Sequence, residues 1–243
     1  MTEIAFITGA ARRIGADIAR SLHDIGTNVV LHYRNSAEEA NILCDELNLI
    51  RDSSAVCIQA DLADTGQIPA LVEEASGIWG RLDILVNNAS MFYPTPVDLT
   101  TEAHWHELND SNLKAPFFLS QAAEPFLRKQ KGCIVNIIDI HAERPLKGYS
   151  VYSITKAGLA ALTRSLAKEF APDVRVNGVA PGAIMWPESE VTDANKNKIL
   201  ERIALNRTGM SDDVTRAVLY FIREAQYVTG QILAVDGGRN LFG

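Results

Sequence analysis

The stretch IAFITGAARRIG, residues 4–15, is an apolar run of strand length that breaks at a glycine turn and resumes as a helix. In the segment that follows, IGADIARSLHDIG, the residues Ile14, Ile18 and Leu22 recur at helical spacing and give that helix one apolar face. A strand that turns through glycine into a helix opens a parallel α/β unit, and the backbone N–H groups at the start of such a helix suit a pyrophosphate. Gly9 and Gly15 stand at the ends of the turn, while Arg13 occupies a place where a third glycine is expected. A guanidinium there lies within reach of phosphates, so Gly9, Arg12, Arg13 and Ile14 are the expected cofactor loop.

Outward from that unit the pattern repeats. Apolar runs at 28–32, 55–59, 82–86, 133–138, 174–179 and 231–235 read as further strands. Between them lie a helix over 37–49, capped by Ser36 with Glu38 and Glu39 in its first turn, a helix over 65–79, and a long helical region over 101–129. The segment YSITKAGLAALTRSLAKEF forms another helix, and one more starts at Ser211. Residues 183–210 lack strict periodicity and are expected to be a helical, mobile lid over the substrate. Each parallel crossover requires a connection of helix length. The fold class predicted is therefore α/β, a doubly wound, mostly parallel sheet of about seven strands with helices on both faces. It makes one domain over residues 1–243, with its sites at the carboxyl ends of the strands.

The chain has 243 residues, 47% of them hydrophobic, and a net charge of −7, which argues against non-specific nucleic-acid binding. No apolar stretch reaches membrane-spanning length and no signal peptide precedes the first strand, so a cytoplasmic location is expected. Cys44, Cys57 and Cys133 lack CxxC spacing and read as small apolar residues. His23, His104, His106 and His141 have no metal-ligand spacing, and no metal site is expected.

The chemistry is carried by Tyr152, thirteen residues after Asp139, and by Lys156, four residues further on. Positions i and i+4 share a helix face. A phenol has a reference pKa of roughly 10, and an adjacent ammonium lowers it toward a range useful for proton exchange beside a hydride transfer. After the second strand come Tyr33, Arg34, Asn35 and Ser36, with no carboxylate to bind ribose hydroxyls, which predicts NADPH over NADH. Asp61, followed by Leu62, is placed either to accept from an adenine amino group or simply to cap a helix. The backbone of Asn88, Ala89 and Ser90 can pack along the cofactor ribose.

These residues together resemble the short-chain dehydrogenase/reductase family from the first strand to the DGG near the end. The likeness rests on TGxxxxIG at 8–15, Asp61, NNA at 87–89, Asn112, YxxxK at 152–156, VNGVAPG at 176–182 and VDGG at 235–238. The family normally has serine thirteen residues before the tyrosine, where this chain has Asp139. That departure, Arg13, and the stretches LHYRNSAEEAN at 31–41 and NNASMFYPTP at 87–96 resemble the pteridine reductase subgroup.

The resemblance implies that Asn112 orients a water chain to Lys156, that Lys156 holds the nicotinamide ribose, and that Ile137, Pro181, Gly182, Ala183 and Ile184 line the cofactor. Phe92 would stack over a pterin, Ser90 and Arg13 would bond its polar atoms, and Trp186 would be a lid residue. Asp139 with Tyr152 would protonate the ring nitrogen, since a carboxyl beside a neutral ring is able to carry a proton. The substrate would be a pterin or folate and the assembly a homotetramer. The small side chains Ala157, Gly158, Ala160 and Ala161 would pack either inside the domain or against a second subunit. A ketone reductase and a non-catalytic NADPH-binding protein are the alternatives.

Overall fold

The computed structural model describes residues 2–185 and 193–242. Its sheet is formed by β1 (Ile4–Ile7), β2 (Asn28–Tyr33), β3 (Ala55–Gln59), β4 (Ile84–Asn87), β5 (Cys133–Ile137), β6 (Arg175–Pro181) and β7 (Ile232–Val235). The strands are all parallel, in the order β3-β2-β1-β4-β5-β6-β7. The strand order therefore reverses between β1 and β4, and that gap at the carboxyl ends is where a parallel sheet of this kind opens a crevice.

Alternation along each strand sorts the core into two layers. Ala5 and Ile7 of β1 face one layer, with α1 (Arg13–Asp24), α2 (Ala37–Ile50) and α8 (Ser211–Arg223), while Ile4 and Phe6 face the other. That second layer contains α3 (Ile68–Gly77), α5 (Ala115–Gln130) and α6 (Ser150–Glu169). At the carboxyl end of the β4–β5 pair, Asn87 Nδ2 donates to Asn136 Oδ1 at 2.8 Å and Asn136 Nδ2 donates to Thr163 Oγ1 of α6 at 2.8 Å. Buried amides bonded this way fix α6 against the sheet, since leaving either unpaired would cost about 1–3 kcal/mol.

The helices differ from expectation in three places. Ser36 makes no side-chain hydrogen bond to the start of α2, so its predicted cap is not formed. The helix expected over 65–79 is shorter because Asp64 accepts from Gly66 N at 3.1 Å and from Gln67 Nε2 at 2.6 Å, holding the chain in turns until Ile68. The long region over 101–129 divides into α4 (Glu102–Asn109), a π-helical turn (Asp110–Lys114) and α5. α4 starts at a reciprocal cap in which Thr101 Oγ1 accepts from His104 N at 3.3 Å and His104 Nδ1 accepts from Thr101 N at 3.2 Å.

Within 183–210 the described residues include α7 (Asp193–Leu200) and a bridge between Ile184 and Gly209. Trp186 lies outside the described residues. Among the described residues no helix is long and apolar enough to cross a membrane.

Candidate active site

β5 ends at Ile137, and two residues later Asp139, in extended backbone, opens a short 3-10 turn over Ile140–Ala142. Its Oδ1 accepts from His141 N at 2.7 Å and its Oδ2 accepts from Tyr152 Oη at 2.7 Å. Both oxygens therefore have a hydrogen-bond partner. Lys156, one helical turn along α6 and fully enclosed, donates from Nζ to Ile137 O at 2.9 Å and lies 5.7 Å from the Tyr152 ring centroid. The spacing thus brings Asp139, Tyr152, Lys156 and Ile137 together as expected.

The electrostatics run against one expectation. Burial first, then the Asp139 charge and hydrogen bond, push the Tyr152 phenol above its ordinary range, whereas the sequence reading had Lys156 lowering it. Burial pushes the Lys156 ammonium down to about 8, with Asp139 opposing. The phenol is consequently a firmly held proton in this state, and Asp139 is its immediate neighbour.

Asn112 sits inside the π-helical turn and is buried. Its Oδ1 accepts from Met91 N at 2.7 Å, and its Nδ2 donates to Met91 O at 2.9 Å and to Thr155 Oγ1 at 3.2 Å. The side chain is thus bonded to the loop after β4 and to α6. It fixes the segment between Ser90 and Phe92, which is a positioning task. Phe92 itself is exposed, and its ring meets that of Tyr152 edge to face with centroids 4.8 Å apart.

On the other side of the crevice, Gly9 takes a φ of +61°, and a Cβ on it would stand 2.9 Å from Ala89 Cα. Arg13 also takes a left-handed φ, 53°, which costs a non-glycine residue about 1–2 kcal/mol. α1 begins without a side-chain cap and without an acidic residue in its first turn, so its first N–H groups are left without a side-chain partner. Gly9, Arg34, Asp61, Leu62, Asn88, Ala89 and Ser90 line a cleft of about 270 Å³. No carboxylate stands at the end of β2 beside Tyr33, Arg34, Asn35 and Ser36. These residues fit a dinucleotide.

Other predicted residues are placed differently. Arg12 pairs with Glu39 at 3.4 Å, and Asp61 Oδ1 accepts from Ala63 N at 3.1 Å while still lining the cleft. Pro181 ends β6, Gly182 N donates to Val235 O at 3.0 Å, and Ala183 O accepts from Gly209 N at 2.9 Å beside Ile184. A Cβ on Gly158 would meet Leu113 Cδ2 at 2.7 Å and Ala160 is buried, so those two small residues pack inside, whereas Ala157 and Ala161 are exposed.

One residue that the sequence pattern does not single out is also part of this region. His32 is buried at the end of β2; its Nδ1 accepts from Gly9 N at 3.1 Å, and its Nε2 donates to Ala60 O at 3.1 Å. It therefore clasps the glycine turn as a neutral ring, and burial pushes its pKa down to about 4, with the Ala60 hydrogen bond opposing. Since the unfolded chain titrates near 6.5, it binds more protons than the folded one between these values. Stability is complete above 6.5 and falls as pH drops toward 4, by up to about 3 kcal/mol. Urea midpoints measured from pH 7 to pH 4.5 should fall more steeply for the wild type than for His32→Gln. Parallel curves would contradict this.

A glycine turn after β1, a strand order reversing at β4, and a Tyr–Lys pair on the helix after β5 define an oxidoreductase of the nicotinamide-dinucleotide class. Comparison with known proteins makes the assignment specific. A family profile described as Enoyl-(Acyl carrier protein) reductase matches residues 9–240. The chain belongs to the short-chain dehydrogenase/reductase family. Pteridine reductase 1 of Leishmania tarentolae is 35% identical over 278 aligned positions, covering 98% of this chain and 96% of that protein. A 3-oxoacyl-(acyl-carrier-protein) reductase FabG of Staphylococcus aureus is 36% identical over 245 positions, covering 98% of each. A 3-oxoacyl-(acyl-carrier-protein) reductase of Synechocystis is 33% identical over 244 positions, covering 99% of this chain and 98% of that protein.

Proposed function

We propose that the chain is an NADPH-dependent pteridine reductase, which reduces a C=N bond of a pterin or dihydropterin and accepts folate or dihydrofolate by the same chemistry. The observation that carries this reading is the 2.7 Å hydrogen bond from Tyr152 to Asp139. An alkoxide and a reduced ring nitrogen both take up a proton, which Tyr152 can give; a carboxyl at position 139 adds a second acid–base group beside the reacting atoms, which a hydroxyl that only orients a ketone would not supply. Phe92, at the mouth of the same site, offers a flat apolar face to a heterocycle.

Gly9, Arg13, Arg34, Ser36 and Asp61 would hold the dinucleotide, with Lys156 on its nicotinamide ribose. When bound, NADPH supplies a hydride for the C=N carbon. Tyr152 and Asp139 share one transferable proton, which passes to the adjacent nitrogen as that carbon is reduced, and solvent replaces it. Ser90 and Arg13 are assigned to the polar edge of the heterocycle. Asn112 acts through the Met91 loop.

The second reading is a ketone reductase acting on a 3-oxoacyl thioester, which the 36% identity to the staphylococcal reductase supports. Turnover of NADPH with dihydrobiopterin, dihydrofolate, acetoacetyl thioester and simple ketones separates the two. Pterin turnover carries the proposal, whereas activity confined to the ketones would sink it. Any turnover excludes a non-catalytic dinucleotide sensor. Preference for NADPH should be at least about tenfold in KM, the scale of one charge-assisted hydrogen bond, and Arg34→Glu should reverse it. An unchanged preference in that variant would remove Arg34 from the site. The exposed apolar residues Trp105, Phe117 and Ile154 on α4, α5 and α6 support a homotetramer, which sedimentation tests.

A further inference from the structure

The ring of Phe92 is not free on both faces. Tyr149 lies against one of them, with centroids 4.7 Å apart and an interplanar angle of 15°. Tyr149 stands at the entrance of α6, three residues before Tyr152, and its backbone is tied to the Phe92 loop through one buried residue, Thr95. Thr95 N donates to Gly148 O at 2.6 Å and Thr95 Oγ1 accepts from Val151 N at 3.2 Å, so the two loops are joined on both sides of Tyr149. Phe92 is nevertheless 55% exposed, and its ring also meets Tyr152 edge to face. An exposed aromatic on a loop would ordinarily sample several rotamers, and ordering it on binding would subtract from affinity.

We infer that Tyr149 is a positioning residue that pre-orders Phe92, so that its free face meets a flat heterocycle in one orientation and ligands lacking a ring gain nothing. This rests on the pterin reading and adds to it a source of ring selectivity. Offset stacking accounts for the geometry, since two parallel rings at this spacing attract beyond their buried area. The phenol oxygen of Tyr149 has no hydrogen-bond partner among the described residues, so the ring rather than the hydroxyl does the positioning.

The test uses the NADP-loaded enzyme and two readouts. Binding of oxidised biopterin is followed by its fluorescence, and reduction of dihydrobiopterin by steady-state kinetics. Tyr149→Ala should raise Kd for biopterin and KM for dihydrobiopterin by about five- to tenfold, the scale of one aromatic stack. It should leave kcat and the KM for NADPH within about twofold, and Tyr149→Phe should restore both pterin constants. Wild-type constants in Tyr149→Ala overturn the inference. So does a parallel loss of kcat and cofactor affinity, which would mark a merely structural residue. If the wild type neither binds nor reduces a pterin, the functional reading itself fails and this inference falls with it, an outcome distinct from a normal wild type beside a normal variant.

Discussion

Tyr152→Phe should lower kcat/KM for dihydropterin by about 10²–10⁴-fold, the usual worth of a placed proton donor. Asp139→Asn and Asp139→Ser should each lower it by about 10²-fold or more while leaving NADPH affinity nearly unchanged. The reasoning is geometric. Tyr152 Oη and Asp139 Oδ2 are 2.7 Å apart in a buried site, so the proton on one is controlled by the other. Asp139 also accepts from His141 N through Oδ1, and serine or asparagine retains enough of that cap for the turn to fold. A second signature concerns pH. Lys156, held down to about 8 by burial, is charged below that pH and neutral above it. The kcat/KM profile should therefore fall on its alkaline side from about pH 8, because the cation beside the phenol, proposed to hold the ribose, is lost there. Full dihydropterin turnover in Asp139→Ser would show that the carboxyl is not the discriminating group, and a level profile from pH 7 to 10 would remove the Lys156 charge from the mechanism.

How far the sequence could be read depended on the range of the interaction. β1, β2 and β3 were legible because each is a short apolar run closed by a turn, and parallel crossovers restrict how such runs can be joined. The pairing of Asp139 with Tyr152 was also legible, since a strand end and the helix that follows it bring those positions to one crevice. The direction of the phenol's pKa shift was not, because it depends on burial around the phenol. The π-helical turn at Asp110–Lys114 was hidden, as one inserted turn leaves the apolar periodicity of the flanking helices intact. The stack of Phe92 on Tyr149 joins residues far apart in the chain, and nothing local to either signals it. His32 was missed for a similar reason. Its role appears only when the glycine turn folds back over the end of β2.

Gly15→Ala should destabilise the fold by about 2 kcal/mol and weaken NADPH binding at least tenfold, although alanine favours a helix over glycine by about 1 kcal/mol. Gly15 lies in the first turn of α1, where a Cβ would stand 2.3 Å from Gly9 O and 2.6 Å from Asn88 Nδ2. Neither atom can yield cheaply. Gly9 O belongs to the turn, and Asn88 Nδ2 already donates to Thr8 O and Gly9 O at 2.9 Å each, joining the turn to the loop after β4. Forcing them apart therefore opens the crevice from both walls at once, and the loss reaches the cofactor as well as the fold. The same substitution elsewhere isolates the cause. A Cβ on Gly77, in the last turn of α3, would meet nothing within 4 Å, so Gly77→Ala should stabilise by up to about 1 kcal/mol and leave NADPH binding alone. Chemical denaturation and cofactor titration of the two variants decide the matter, because helix propensity predicts that they shift together and the crowding between β1 and β4 predicts that they shift in opposite directions.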